Sequence, residues 1–553
     1  MDEFEAAART ARANAWAVRG AMTAGLKTAR DRMAPGAFLD VIGWLAVSEP
    51  PPNRAAPDIM PIRREIDSLA ARAQSIASGR PGVRLRNPPG APLIYATVDA
   101  ATLDDLAFSG MLYQLEIDPG PGHPTNTTWH QNVGAHIPNT AGWNGNGRRV
   151  AIMEGSQPDS YTNLSGIVAT ASPSGGTWWH TRWTTGIVRE VPSPFGIAPS
   201  VGILIANWDG FGPGTVQQWA LDNGADVINF SWSFNDGSNG GLSSTDLYHD
   251  WLILQFPYSL FSSTSGNIMD SAKPYIQNRS YNALIVGATD TVGTEMRSDD
   301  VMASFSSWRN HSTTHGDREL PEIVAPGTCV TAGGVTCENG TSAAAPIVSG
   351  AIALVRHRNP FGVAAGNWPE AQKAMLMATA DCDRDGVRLD LSDTTDDRDG
   401  VGILNVARAV ALANPANANF GNTPTVRGFR YGSMNFSTDF TGAVWNVVPK
   451  VQTGATGWIS IVLTWDATPN CPTPTTCTGS GPDADLDLTI FNDATGAIVS
   501  YSASWDNNYE VLIRHLSPNT AYRLQVSKVS NRTASTYYGL AWDVFADGCP
   551  DPT

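Results

Sequence analysis

Between residues 149 and 415 short apolar runs alternate with longer stretches of helical composition, and this alternation constrains the fold more than any other feature of the chain. Arg149 to Met153, Val201 to Ala206, Asp226 to Phe230, Ser259 to Ser263 and Ala283 to Val286 are the strand candidates. Strands that are apolar rather than alternating, joined by helices, build βαβ units on a parallel sheet covered on both faces. Residues 342–357 predict a buried helix, because Ala343 to Ala345, Ser349, Gly350 and Ala351 are small enough to let neighbours pack closely. A second helix is predicted over 369–379. From about residue 425 the helical pattern stops: Trp458 to Trp465, Asp485 to Phe491 and Tyr522 to Val526 are strands separated by turns, a distinct β-sandwich or β-barrel over 425–547.

Upstream, residues 2–33 and 62–77 are rich in alanine and other helix formers, and Glu49-Pro50-Pro51-Pro52 breaks any helix between them. Residues 1–80 are therefore read as a helical extension. Ile94 to Val98, Ala101 to Phe108 and Leu112 to Ile117 follow as strand, helix and strand, an α+β segment over 90–120 that ends in the linker Asp118-Pro119-Gly120-Pro121-Gly122. A third region, 125–415, is the α/β domain.

Charge and cysteine usage narrow the class. A net charge of -16 with no basic face or tail argues against a nucleic-acid partner. No run reaches the roughly 18 apolar residues of a membrane-spanning helix. The cysteines are Cys329, Cys337, Cys382, Cys471, Cys477 and Cys549, with no CxxC pair and no zinc spacing. Disulfides are plausible within 329/337 and 471/477, and buried free thiols are the alternative. Disulfides would favour an extracellular or periplasmic setting. The opening Met-Asp-Glu-Phe-Glu-Ala has no basic segment followed by an apolar one, so no signal peptide is visible and a cytoplasmic setting stays open.

Acyl transfer by serine needs a nucleophile, a base, a group that orients the base, and donors facing the oxyanion. Gly340-Thr341-Ser342 followed by small residues and Pro346 sets a serine at a helix start, where backbone N–H groups favour negative charge. Asn339-Gly340-Thr341-Ser342-Ala343-Ala344-Ala345-Pro346 resembles the nucleophile motif of the subtilisin-like serine proteases, and the resemblance extends over about 125–412. His180-Thr181-Arg182-Trp183-Thr184-Thr185-Gly186 resembles the family's histidine segment, without its second histidine and intervening glycine. Asn229-Phe230-Ser231 resembles the strand that pairs with substrate, and Ser265-Gly266-Asn267 the segment with the side-chain oxyanion donor. The resemblance implies a serine endopeptidase acting on protein or peptide substrates without a catalytic cofactor. Ser342 is then the nucleophile, His180 the base and Asn267 the donor, with Ser231, Trp232, Ser233, Thr264, Ser265 and Gly266 lining the cleft. Phe234 lies beside them.

The third position departs from the family. Where aspartate is expected, the sequence has Val150-Ala151-Ile152-Met153-Glu154-Gly155, which makes Glu154 the aligned acid and Asp159 the reserve. An inactive scaffold that binds peptides is the alternative function. Thr264-Ser265-Gly266 carries no acid to attract a basic side chain, so apolar or aromatic residues before the scissile bond are expected. Residues 95–117 resemble the end of a protease prodomain, which would make the chain a zymogen cleaved within 118–130, and a permanent accessory domain is the alternative. The tail resembles the β-barrel of some larger members, where Asp485, Asp487 and Asp506 are candidate ligands of a structural calcium. Asp381-Cys382-Asp383-Arg384-Asp385 echoes a calcium loop.

Overall fold

The computed structural model describes residues 20–544 apart from 23, 47–59, 88–92, 118–125, 172–175, 191–195, 209–212, 234–238, 269–274, 360–367, 382–388, 390, 392–396, 446–448 and 472–476. Phe234, Asp383, Asp385, Cys382, Cys549 and the cleavage candidates up to 125 thus lie outside the described residues. The chain divides into two compact units, one of residues 1–125 with 291–301 and one holding the rest.

The first unit corrects the expectation of an all-helical extension over 1–80. Leu39–Leu45 is a strand, antiparallel to both Leu93–Val98 and Leu112–Ile117. With Arg84–Arg86 at one edge these form a four-stranded sheet. The helix Met60–Ala77 lies where the sequence predicts one, and Ala100–Ala107 follows, capped by Asp99, whose carboxylate accepts from the Thr102 N–H at 2.7 Å. Ile66, Ala73, Ile94, Val98, Leu103, Leu106 and Leu115 close one shared core, so residues on either side of position 80 belong to one α+β body.

In the second unit the predicted parallel sheet is present. Its order runs Leu284–Asp290, Leu260–Thr264, Val227–Phe230, Arg149–Glu154, Gly202–Asn207, Ile167–Thr170, and Ile323–Pro326 pairs with the outer side of Leu284–Asp290. Every neighbour in this series is parallel, and the central strands are buried on both faces, which explains their unbroken apolar runs. The helix Thr341–Arg358 packs across one face, its Ala343, Ala344, Ala345, Val348, Ala351 and Ile352 wholly buried. Pro346 stands inside this helix rather than in its first turn. It cannot donate to the Ser342 carbonyl four residues back, and Ser231 Oγ takes that acceptor at 3.1 Å.

The C-terminal part is a sandwich. One sheet runs Gly428–Asn435, Ser535–Val544, Trp458–Trp465, Tyr509–His515, and the second is built on Ala484–Asn492 paired with Ala521–Asn531 and Ile498–Ser502. Leu463, Trp465, Leu486, Leu488, Leu524 and Trp542 fill the space between them. The helix Pro369–Ala378 of the α/β domain lies on the outer face of the first sheet, whose Val462, Tyr509 and Ala541 join the core of that domain. Trp458–Trp465 is therefore buried along its whole length.

Candidate active site

Side chains of the candidate site gather where the parallel strands end. Glu154 closes the strand Arg149–Glu154, Ser231 follows Val227–Phe230, and residues 264–267 follow or close Leu260–Thr264. This is the edge at which open α/β sheets hold their ligands. His180 sits in the first turn of the helix Trp179–Val188, and Ser342 is the second residue of Thr341–Arg358.

Glu154 is completely buried, and its Oε1 lies 3.1 Å from His180 Nδ1. The two are at ion-pair distance but out of line for a hydrogen bond, and neither carboxylate oxygen nor Nδ1 has another hydrogen-bond partner. Asp159 is elsewhere: its Oδ1 accepts from Arg182 Nε at 2.7 Å, on a partly exposed surface. Thr181 Oγ1 donates to the Ser156 carbonyl at 2.9 Å, tying the helix of His180 to the segment that leaves Glu154.

Ser342 Oγ donates to the Ser231 carbonyl at 3.3 Å and makes no hydrogen bond to His180. Asn267 Oδ1 accepts from both the N–H and the hydroxyl of Thr341, at 2.8 and 2.7 Å, which turns its amide nitrogen to the side of Ser342. A Cβ built on Gly340 would lie 3.3 Å from Asn267 Nδ2 and 3.4 Å from the Ser342 nitrogen. The two donors thus flank one small space, and glycine keeps it open.

The cleft walls are joined by a residue that sequence reasoning missed. Asn278 Nδ2 donates to the Trp232 carbonyl at 2.8 Å and to the Thr264 carbonyl at 2.7 Å. Ser265 donates to Val286 and accepts from Gln277, while the Gln277 side chain covers Gly266. Ser233 is partly exposed at the start of the other wall. Also missed was the arrangement of tryptophans around His180. Trp178 stacks on the imidazole at 4.6 Å and 22°, while Trp179 and Trp183 each meet it edge-on at 5.6 Å. The sequence places these indoles near His180 but says nothing of ring geometry.

Cys329 and Cys337 are joined, as are Cys471 and Cys477. The first pair clasps a hairpin, Val330–Ala332 against Val335–Glu338, that leads into Gly340. Its Val330 and Gly333 carbonyls accept from Trp183 Nε1 at 2.9 Å and Arg182 Nη1 at 2.6 Å, so one hairpin braces the helix of His180 and the approach to Ser342.

Asp485, Asp487 and Asp506 are the candidate ligands of a structural calcium. Among the described residues no three His, Cys, Asp or Glu side chains group in a way that could hold a metal. Asp506 accepts from Thr313 Oγ1 and the His315 and Gly316 N–H groups and pairs with His315 Nδ1, which fastens that loop. Burial, with Asp487 nearby, pushes the Asp485 carboxyl up to about 6, and burial raises Asp487 as well. No helix among the described residues is long and apolar enough to cross a membrane.

The subtilase family model, peptidase S8, matches residues 126–425. Alkaline elastase YaB of Bacillus sp. (strain YaB) is 27% identical over 288 residues, 49% of this chain and 70% of the relative. Subtilisin DY of Bacillus licheniformis is 29% identical over 239 residues, 40% of this chain and 80% of the relative. Among solved structures, the prenylagaramide maturation protease PagA is 21% identical, covering 50% of this chain and 97% of its own with a TM-score of 0.37. With more than half of its length under the family model, the chain belongs to the subtilase family and is a serine endopeptidase.

Proposed function

We propose that peptide-bond hydrolysis here runs through an acyl-enzyme on Ser342, with a Ser-His-Glu rather than a Ser-His-Asp set. The observation that carries this reading is the contact between Glu154 and His180 Nδ1, together with the engagement of Asp159 by Arg182. On substrate binding the Ser342 hydroxyl leaves the Ser231 carbonyl by rotation about its side-chain bond and turns to His180 Nε2. Oγ attacks the scissile carbonyl carbon while Nε2 takes its proton, and the oxyanion enters the space before Gly340, facing Asn267 Nδ2 and the Ser342 N–H. Collapse returns the proton from Nε2 to the leaving amine. Water then attacks the ester, again with His180 as base. Glu154 is a buried carboxylate with no hydrogen-bond donor, so the imidazolium formed beside it in each transfer is the charge it lacks.

Glu154→Ala tests the assignment: kcat is expected to fall by about 10⁴-fold with the fold intact, while Asp159→Ala stays near the parent. The reverse pattern overturns it. Thr264-Ser265-Gly266 carries no acid, which supports cleavage after apolar or aromatic side chains. The N-terminal unit is assigned the part of a prodomain, removed by a cut within 118–130 and detectable by sequencing the mature N-terminus. Two disulfides support action in an oxidising compartment outside the cytoplasm.

A further inference from the structure

We propose that Trp178 is a positioning residue for the general base: its indole face holds the His180 imidazole in place and stabilises the imidazolium that forms during proton transfer. The inference rests on the reading of His180 as the base. Its starting point is that the Glu154 contact, at 3.1 Å but out of line for a hydrogen bond, does not by itself fix the plane of the imidazole. A second contact therefore bears on the ring. Among the described residues Trp178 is the aromatic neighbour that stacks on it, near-parallel at 22° with centroids 4.6 Å apart, whereas Trp179 and Trp183 present edges.

The indole is itself held from behind and below. Its backbone pairs in a short parallel ladder, Gln157 with Thr177 and Pro158 with Trp178, secured by the Gln157 N–H on the Gly176 carbonyl at 2.9 Å. That ladder begins three residues after Glu154, and Trp178 caps the helix whose first turn carries His180. Trp232, directly after Ser231, meets the Trp178 ring at 5.4 Å and 81°, and Trp208 in turn meets Trp232 at 5.5 Å. Trp178 is only partly buried, which marks it as a cleft residue rather than part of the core. The face of an indole is the strongest aromatic partner for a cation, and the imidazole becomes one only after it accepts the Ser342 proton. The benefit is therefore larger in the transition state than in the ground state, and so acts on kcat.

The test compares Trp178→Leu and Trp178→Phe in the full chain after maturation, with steady-state kinetics on an apolar peptide substrate. Leucine stays apolar, though smaller than the indole, and offers no π face. It is expected to lower kcat by about 3- to 30-fold with KM within about twofold, and phenylalanine to restore most of the loss. A Leu variant with parental kcat, a loss confined to KM, or a Phe variant no better than Leu overturns the proposal. Circular dichroism on each variant checks the fold, and Phe supplies the comparison if Leu does not fold. His180→Ala separates the two levels. If it retains turnover, the reading of His180 fails and this proposal falls with it; if it abolishes turnover while Trp178→Leu is unaffected, only the role of Trp178 is refuted.

Discussion

A rise in pH from 4.5 through about 7 is expected to loosen the contact between the α/β domain and the sandwich, through one buried pair of carboxyls. Glu370 opens the helix Pro369–Ala378, and Asp466 follows the strand Trp458–Trp465 on which that helix lies. Both are buried and lie close enough to act on each other's titration, so the pair keeps a proton that solvent-exposed carboxyls would have lost. Burial raises Glu370 from 4.5 to about 7, and burial with the Glu370 charge holds Asp466 well above the usual carboxylate range. Relief by movement is restricted: the Glu370 carbonyl accepts from Thr464 Oγ1 at 2.8 Å, and the backbone there runs so close to Gly539 that no Cβ fits.

The folded state binds the proton more tightly than the unfolded chain, so the stabilisation is complete below pH 4.5 and is lost as pH rises through about 7. The shift corresponds to about 3 kcal/mol, which is several degrees of Tm for a domain of this size. Thermal unfolding of a Ser342→Ala parent, which cannot digest itself, is compared with the same protein carrying Glu370→Gln between pH 5 and 8. The glutamine variant should gain on its parent by several degrees across that range. Asp466→Asn should do the same, and the double variant should add little, because one shared proton is removed once. Parallel Tm curves for parent and variants would refute the shared proton.

Two further outcomes follow from the buried site and core. Gly340→Ala places a methyl between Asn267 Nδ2 and the Ser342 N–H, so kcat should fall about 100- to 1,000-fold while thermal stability changes little; an active variant would contradict the oxyanion assignment. His249 is wholly buried between Phe230 and Phe261, and burial lowers it to about 3, so the stability it contributes is present above pH 6.5 and lost as pH falls towards 3. His249→Gln should flatten the acid side of the Tm profile, and an unchanged acid slope would show that this histidine does not drive it.

The parallel sheet was legible because its strands are covered on both faces, so each reads as an apolar run such as Val150 to Met153 or Ile203 to Ala206. The helix of Ser342 was legible from its small residues, which the close packing requires. Leu39–Leu45 was misread because its Val41 and Leu45 are buried by partners more than 50 residues away, against which an alanine-rich flank is weak evidence. In the site, residue identity picks out Ser342, Asn267 and His180 as candidates but does not choose between Glu154 and Asp159, of which the structure brings Glu154 to His180 and Asp159 to Arg182. Asn278 and the stacked Trp178 left no pattern, since each acts across a gap in sequence or through ring orientation. Spacing alone could not show that Asp506, one of the three aspartates read as candidate calcium ligands, also fastens a loop some 190 residues away.

The most direct measurement is covalent labelling of the mature protein by a fluorophosphonate, with the modified peptide mapped by mass spectrometry. The account predicts a single adduct on Ser342, absent in Ser342→Ala and strongly slowed in both His180→Ala and Glu154→Ala. A folded mature protein that stays unlabelled, or that carries the adduct on another serine, would contradict it.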